Sequence, residues 1–124
     1  MKSETNLAVA RAAYGAYVTK VRCALEPLIA DDFHFTSPLD NRIDRATYFK
    51  RCWDNSERTE RFDFIHCVPD GDRVLVTYEA IMGGGRFRNT EILTLCEGQI
   101  IDVEAYFGWS IPHPAKDGGF VDKA

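Results

Sequence analysis

Apolar residues recur at Leu7, Ala10, Tyr14, Tyr17, Val18, Val21, Leu25 and Leu28, the three-and-four spacing that lays one stripe along an α-helix. The spacing predicts a long N-terminal helix with Ser3 as its cap. Pro27 should interrupt it near Glu26 and, since proline suits a first turn, open a short second helix over 27–30. In "DDFHFTSP" the pattern switches to alternation: Phe33, Phe35 and Ser37 fall on one side, His34 and Thr36 on the other. That predicts a short strand ended by Pro38 and followed by a charged loop. Asp44 can cap another helix over 45–55, whose apolar face would be Ala46, Phe49, Cys52 and Trp53.

Beyond residue 59 the period is two. Four strands are expected, near 60–68, 73–82, 86–96 and 99–109. Their turns are marked by Pro69-Asp70-Gly71-Asp72, by Gly83-Gly84-Gly85 and by Glu97-Gly98. Such short turns make an antiparallel meander, and helices followed by a meander make an α+β domain whose sheet curls over the helices. Residues 113–124, "HPAKDGGFVDKA", read as a C-terminal tail that could be mobile.

Composition narrows the function classes. The 124 residues suffice for one domain with its own core. A net charge of -4 with 15 scattered basic residues argues against a nucleic-acid partner, which needs clustered Lys and Arg. Cys23, Cys52, Cys67 and Cys96 have neither the paired spacing of a zinc site nor that of a disulfide framework. Reduced thiols, no metal and no cofactor are therefore expected. No stretch approaches the roughly 20 apolar residues of a membrane helix, and Glu4 and Arg11 interrupt anything like a signal-peptide core. A cytoplasmic protein with no membrane partner is the expectation.

Three stretches carry a resemblance: "LIADDFHFTSP" (28–38), "RATYFKRCW" (45–53) and "EGQIIDVEAYFGW" (97–109). With the order of elements, they resemble the nuclear transport factor 2-like superfamily, in particular its SnoaL-like bacterial members. The resemblance spans roughly residues 5–112 and implies a single SnoaL-like domain over 1–112. It implies a cone, a curved antiparallel sheet wrapped around a long helix (the cystatin-like fold), with a pocket at the wide end. It also implies a homodimer through the outer sheet face, where Ile92, Thr94, Glu104 and Tyr106 should lie. Relatives include ketosteroid isomerases, scytalone dehydratases, epoxide hydrolases, polyketide cyclases and non-enzymatic modules, so function has to be read from the site.

The ketosteroid isomerases place a general-base aspartate immediately before the proline that ends the first strand, and here that position is Ser37. A serine cannot by itself take a proton from carbon. Their oxyanion site, a tyrosine and a protonated acid, maps onto Tyr14 and Glu91. Alternation puts Glu91 inward beside Leu93 and Leu95, and Glu104 outward. An inward carboxyl loses solvation, which favours its neutral form. Glu91 and Tyr14 would then be the polar end of an apolar pocket, unless Glu91 merely bonds Tyr14, Arg42 or Arg88 structurally. His66 shares a side with Phe62 and Phe64 and is the available base. Ser37, Trp53, Phe62, Tyr78, Met82, Val103 and Phe107 have the alternation of a pocket wall. The epoxide-hydrolase constellation lacks an inward arginine and second acid in this reading, and the dehydratase pattern lacks a second inward histidine. The reading favoured is a domain that binds a small hydrophobic molecule, with catalysis left open. The alternatives are an isomerase, dehydratase or cyclase on a small carbonyl or polyketide-like substrate, or a non-catalytic dimerisation module.

Overall fold

Lys2–Thr19 form α1, 18 residues long, in the computed structural model, which describes residues 2–122. Ser3 therefore lies inside the first turn instead of capping it. The stripe carried past Val21 in sequence, but the helix stops at Thr19: Lys20 takes φ +63° and the Val21 N–H reaches back to the Ala16 carbonyl at 3.1 Å. This is a Schellman-type closure with lysine in the left-handed position that glycine usually takes. No glycine or proline marks it, so periodicity alone ran through the break. After the short α2 (Arg22–Leu25), Pro27 sits in a 3-10 turn (Glu26–Leu28), and the chain is already extended at Ile29.

β1 (Ile29–Ser37) and β2 (Asp40–Asp44) pair antiparallel; β2 occupies what read as a charged loop. α3 (Arg45–Cys52) follows, and Asp44 caps it as expected, its Oδ1 accepting the Thr47 N–H at 2.9 Å. A 3-10 turn (Trp53–Glu57) leads into β3 (Thr59–Asp70), β4 (Arg73–Met82), β5 (Gly85–Cys96) and β6 (Gln99–Ser110). The two-residue turns Gly83-Gly84 and Glu97-Gly98 have positive φ at both positions, the requirement of a tight hairpin.

The six strands form one sheet in the order β2-β1-β6-β5-β4-β3. It is antiparallel except where β1 lies parallel to β6, a pairing that the meander pattern did not reveal. α1 packs chiefly on β3. Phe33, Leu25, Ile100, Val74 and Val76 are fully buried between the layers. The outer face of the sheet carries Glu104 and Tyr106, both exposed, with Ile92 and Thr94 half-buried. It also carries an ionic cluster: Glu79 accepts from Arg86 at 2.9 Å and from Arg88 at 2.5 Å, and Arg86 also bonds Asp63 at 3.0 Å.

Two bulges position the site. On β3, Phe64 pairs with Tyr78 but His66 pairs with Thr77, so Ile65 is an extra residue. On β6, Phe107 pairs with Asn89 and Trp109 with Arg88, leaving Gly108 unpaired. An extra residue reverses the facing of everything after it and bends the strand. No described helix is long and apolar enough to cross a membrane.

Candidate functional site

Glu91 projects from β5 toward α1. The Tyr14 hydroxyl donates to its Oε1 at 2.6 Å and the Tyr78 hydroxyl to its Oε2 at 2.9 Å. Tyr78 sits on β4 one diagonal step from Glu91, a distance that a long side chain spans. Tyr14 is fixed by edge-on ring contacts with Phe62 and Phe64, centroids 5.1 and 5.5 Å apart. Asn89 completes the group. Its amide approaches the Tyr78 oxygen at 3.4 Å, and its Oδ1 accepts the N–H of Gly108 at 3.1 Å. The bulge thus leaves a backbone donor free to orient an inward side chain. Neither Arg42 nor Arg88 reaches Glu91: Arg42 meets His34 and Arg88 meets Glu79.

Burial pushes the Glu91 carboxyl above its ordinary range, and the two phenolic donors pull it back only in part. Burial followed by the charge of Glu91 raises both Tyr14 and Tyr78. The state of Glu91 decides what this group offers. Ionised, it absorbs both phenolic protons and the trio is purely an acceptor. Neutral, the trio holds three protons for two internal bonds and can donate one.

The trio lies in the wall of a cavity of about 620 Å³ that also takes in Ser37, Phe62, Met82, Val103 and Phe107. The cavity opens where Leu39, Phe107 and Trp109 line it while remaining exposed. Among the expected site residues, then, Tyr14, Glu91, Ser37, Phe62, Tyr78, Met82, Val103 and Phe107 are brought together. Two are not. His66 is exposed and outside the cavity, because the Ile65 bulge turns it outward and turns Cys67 in. It cannot serve as the base of this site. Trp53 is not part of the cavity lining and lies against Tyr17, its ring tilted by 55° with centroids 5.0 Å apart.

α3 turns a different stripe to the cavity. Its cavity face is Tyr48, Arg51, Cys52 and Asn55, a stripe that sequence reasoning missed in favour of the more apolar one, and Ala46 is exposed. The i, i+3, i+4, i+7 spacing of these four was the available signal. Arg51 donates to Asp40 Oδ1 at 2.8 Å. Ser37 Oγ donates to Asp40 Oδ2 at 2.8 Å while accepting the Leu39 N–H at 3.0 Å. Asp40, Arg51 and Ser37 all line the cavity, so an inward acid and an inward arginine are present after all. Asp40 was hidden by its place in a presumed loop. Tyr17 and Tyr48 also line the cavity, with hydroxyls 2.6 Å apart. Cys52 lines it too, its thiol pushed up to about 11, chiefly by burial, which makes it a poor nucleophile. Among the described residues no three His, Cys, Asp or Glu side chains gather as a metal site would require.

No protein-family model matches the sequence, and no curated protein matches it either. Solved structures do match. A candidate ketosteroid isomerase from Kribbella flavida DSM 17836 is 18% identical with a TM-score of 0.73, the match covering 98% of this chain and 91% of that one. A nuclear transport factor 2-like protein of unknown function from Cytophaga hutchinsonii ATCC 33406 is 19% identical with a TM-score of 0.67, over 81% and 87%. An LEH-like epoxide hydrolase from M. tuberculosis is 18% identical with a TM-score of 0.71, over 87% and 86%. At these identities the likeness is one of architecture. The chain adopts the nuclear transport factor 2-like fold, a long helix packed on a six-stranded, mostly antiparallel sheet.

Proposed function

We propose that this chain binds a small, largely apolar molecule in its cone and engages an oxygen of that molecule at the Tyr14–Glu91–Tyr78 group. One observation carries the reading: a cavity of about 620 Å³, mostly apolar, has in its wall a carboxyl whose two oxygens are each held by a phenol. That volume lies within the range of small-molecule sites, which combine apolar walls with a few placed polar groups. The test is calorimetric titration with 2-isopropenylnaphthalene, a hydrocarbon that fits such a volume. Binding is expected to the wild type, and to be about tenfold weaker or more, the equivalent of roughly 1.4 kcal/mol, in Ala105→Phe. Ala105 is buried on the cavity wall beside Glu91, its cross-strand partner, and a phenyl group there occupies the space. Failure of the wild type to bind, or equal binding by a folded Ala105→Phe, would sink the reading.

A second reading, proton-transfer catalysis, is favoured by Asp40. Its carboxylate stands on the cavity lining, next to the strand-end position where Ser37 offers no base, and is held there by Ser37 and Arg51. Two of its lone-pair sites are used and two are free. In this reading Asp40 takes a proton from the carbon next to a carbonyl. The electron pair moves onto the carbonyl oxygen, which a neutral Glu91 stabilises by donating a hydrogen bond. The check is deuterium uptake by the methyl of 2-acetylnaphthalene in D2O. Acceleration by the wild type and at least a hundredfold loss in Asp40→Asn, at the low end of general-base contributions of roughly 10²–10⁴, is the expected result. Equal rates in the two proteins remove catalysis by Asp40.

A further inference from the structure

Tyr17 on α1 and Tyr48 on α3 meet hydroxyl to hydroxyl at 2.6 Å on the cavity lining. Two phenols carry two protons, and the bond between them uses one. Among the described residues neither oxygen makes any other hydrogen bond. One O–H is therefore left over at the lining of a mostly apolar cavity, with no protein acceptor among the described residues. We propose that the Tyr17–Tyr48 pair is a second polar pole of the cone, which donates this proton to an acceptor oxygen on the bound molecule, a carbonyl or a phenolate. The proposal rests on the small-molecule reading above and specifies the ligand further: a compact, mostly hydrocarbon molecule with one oxygen for the phenol pair, apart from any oxygen held at Glu91.

Three observations support it. Fastening α1 to α3 requires only one donor and one acceptor, yet two donors are present, and an O–H left without an acceptor in an apolar setting costs about 1–3 kcal/mol. Tyr17 follows Tyr14 by three residues on one face of α1, roughly 4.5 Å along the axis, so the two poles are separate but within the span of one small molecule. Both phenols are held neutral, raised chiefly by burial, and both feel the charge of Glu91. The pair thus remains a donor whatever Glu91 does, whereas the Glu91 trio changes between acceptor and donor.

The test, run on the alkaline side of the Glu91 titration so that the Glu91 trio can only accept, uses a matched pair of probes, 2-acetylnaphthalene and 2-isopropenylnaphthalene, which differ in C=O against C=CH2. In the wild type the ketone should bind about three- to tenfold tighter, the worth of one net hydrogen bond. Its carbonyl stretch should lie below the value in cyclohexane. Tyr17→Phe and Tyr48→Phe, each of which leaves one phenol with a free proton, should retain the lowered stretch. In the Tyr17→Phe/Tyr48→Phe double variant the stretch should return to its hydrocarbon-solvent value and the ketone's advantage over the alkene vanish. A lowered stretch that persists in the double variant, from water or from Glu91, overturns the proposal and leaves the cavity reading standing. If the alkene does not bind the wild type, both fall. Should the double variant not fold, nuclear Overhauser contacts in the wild type decide: contacts from the acetyl methyl to the Tyr17 and Tyr48 rings support the proposal, and their absence overturns it.

Discussion

Replacing Gly108 by alanine should destabilise the protein by about 3 kcal/mol, the upper end of what overpacking costs, while Gly15→Ala should stabilise it by about 0.5–1 kcal/mol. The two glycines differ in what a β-carbon would meet. At Gly108 it would stand 2.1 Å from the Arg88 carbonyl oxygen and 3.1 Å from its carbon. Both are backbone atoms of the neighbouring strand, so no side chain can swing aside and β5 must part from β6. That movement also pulls the Gly108 N–H from Asn89, which abuts Tyr78. The loss therefore spreads into the site. At Gly15, on the exposed side of α1, nothing lies within 4 Å, and alanine simply reduces the freedom of the unfolded chain. Chemical denaturation of both variants checks the pair. A Gly108→Ala protein as stable as wild type would mean that the bulge is not held as described.

Removing the Tyr14 hydroxyl should have the next largest effect, and one that depends on pH. When Glu91 is ionised its bond from Tyr14 is charge-assisted, and Tyr14→Phe should cost about 2 kcal/mol; when Glu91 is neutral the loss is nearer 1 kcal/mol. The sign of the pH dependence follows from burial. Glu91 titrates above its ordinary value of 4.5 in the folded protein, so the native state holds its proton more tightly than the unfolded chain. The stability this contributes is fully present below about pH 4.5 and is lost as pH rises through the folded-state value. Wild-type stability should therefore carry a falling component on the alkaline side of 4.5 that is missing in Glu91→Gln. Tyr14→Phe, which removes a donor that lowers the carboxyl, should carry this component to higher pH. Denaturation curves between pH 4 and 9, with carbon NMR of the Glu91 carboxyl, test this. Parallel stability profiles for wild type and Glu91→Gln would show that the carboxyl is not desolvated as inferred.

The inward group around Glu91 was legible because a strand has a strict period. Glu91 alternates with Leu93 and Leu95, and the β4–β5 pairing is unbroken from Arg73 to Met82, so parity read from sequence held along its whole length. The same rule misplaced His66, since one extra residue at position 65 inverts parity and nothing in "FDFIHCV" announces the bulge. Trp53 and Tyr48 were exchanged for a different reason: the helical period held, but the stripe that α3 turns to the cavity is set by Tyr48 packing on Phe33 and Phe35 of β1 and not by its apolar content. Asp40 and Arg51 were out of reach altogether. They are 11 residues apart in sequence, and their meeting depends on β2 folding back on β1.

Local chemistry thus determined the types of the elements other than β2 and the turn at Pro27, most of their ends, the α+β order and the inward acid, because each depends on neighbours within a turn or a strand. Tertiary structure decided the parallel β1–β6 contact, the facing of His66, the Tyr17–Tyr48 pair and the Ser37–Asp40–Arg51 group. These arise from bulges and from approaches between distant segments, whose energies reside in contacts between strands and helices and not in the periodicity of any one of them.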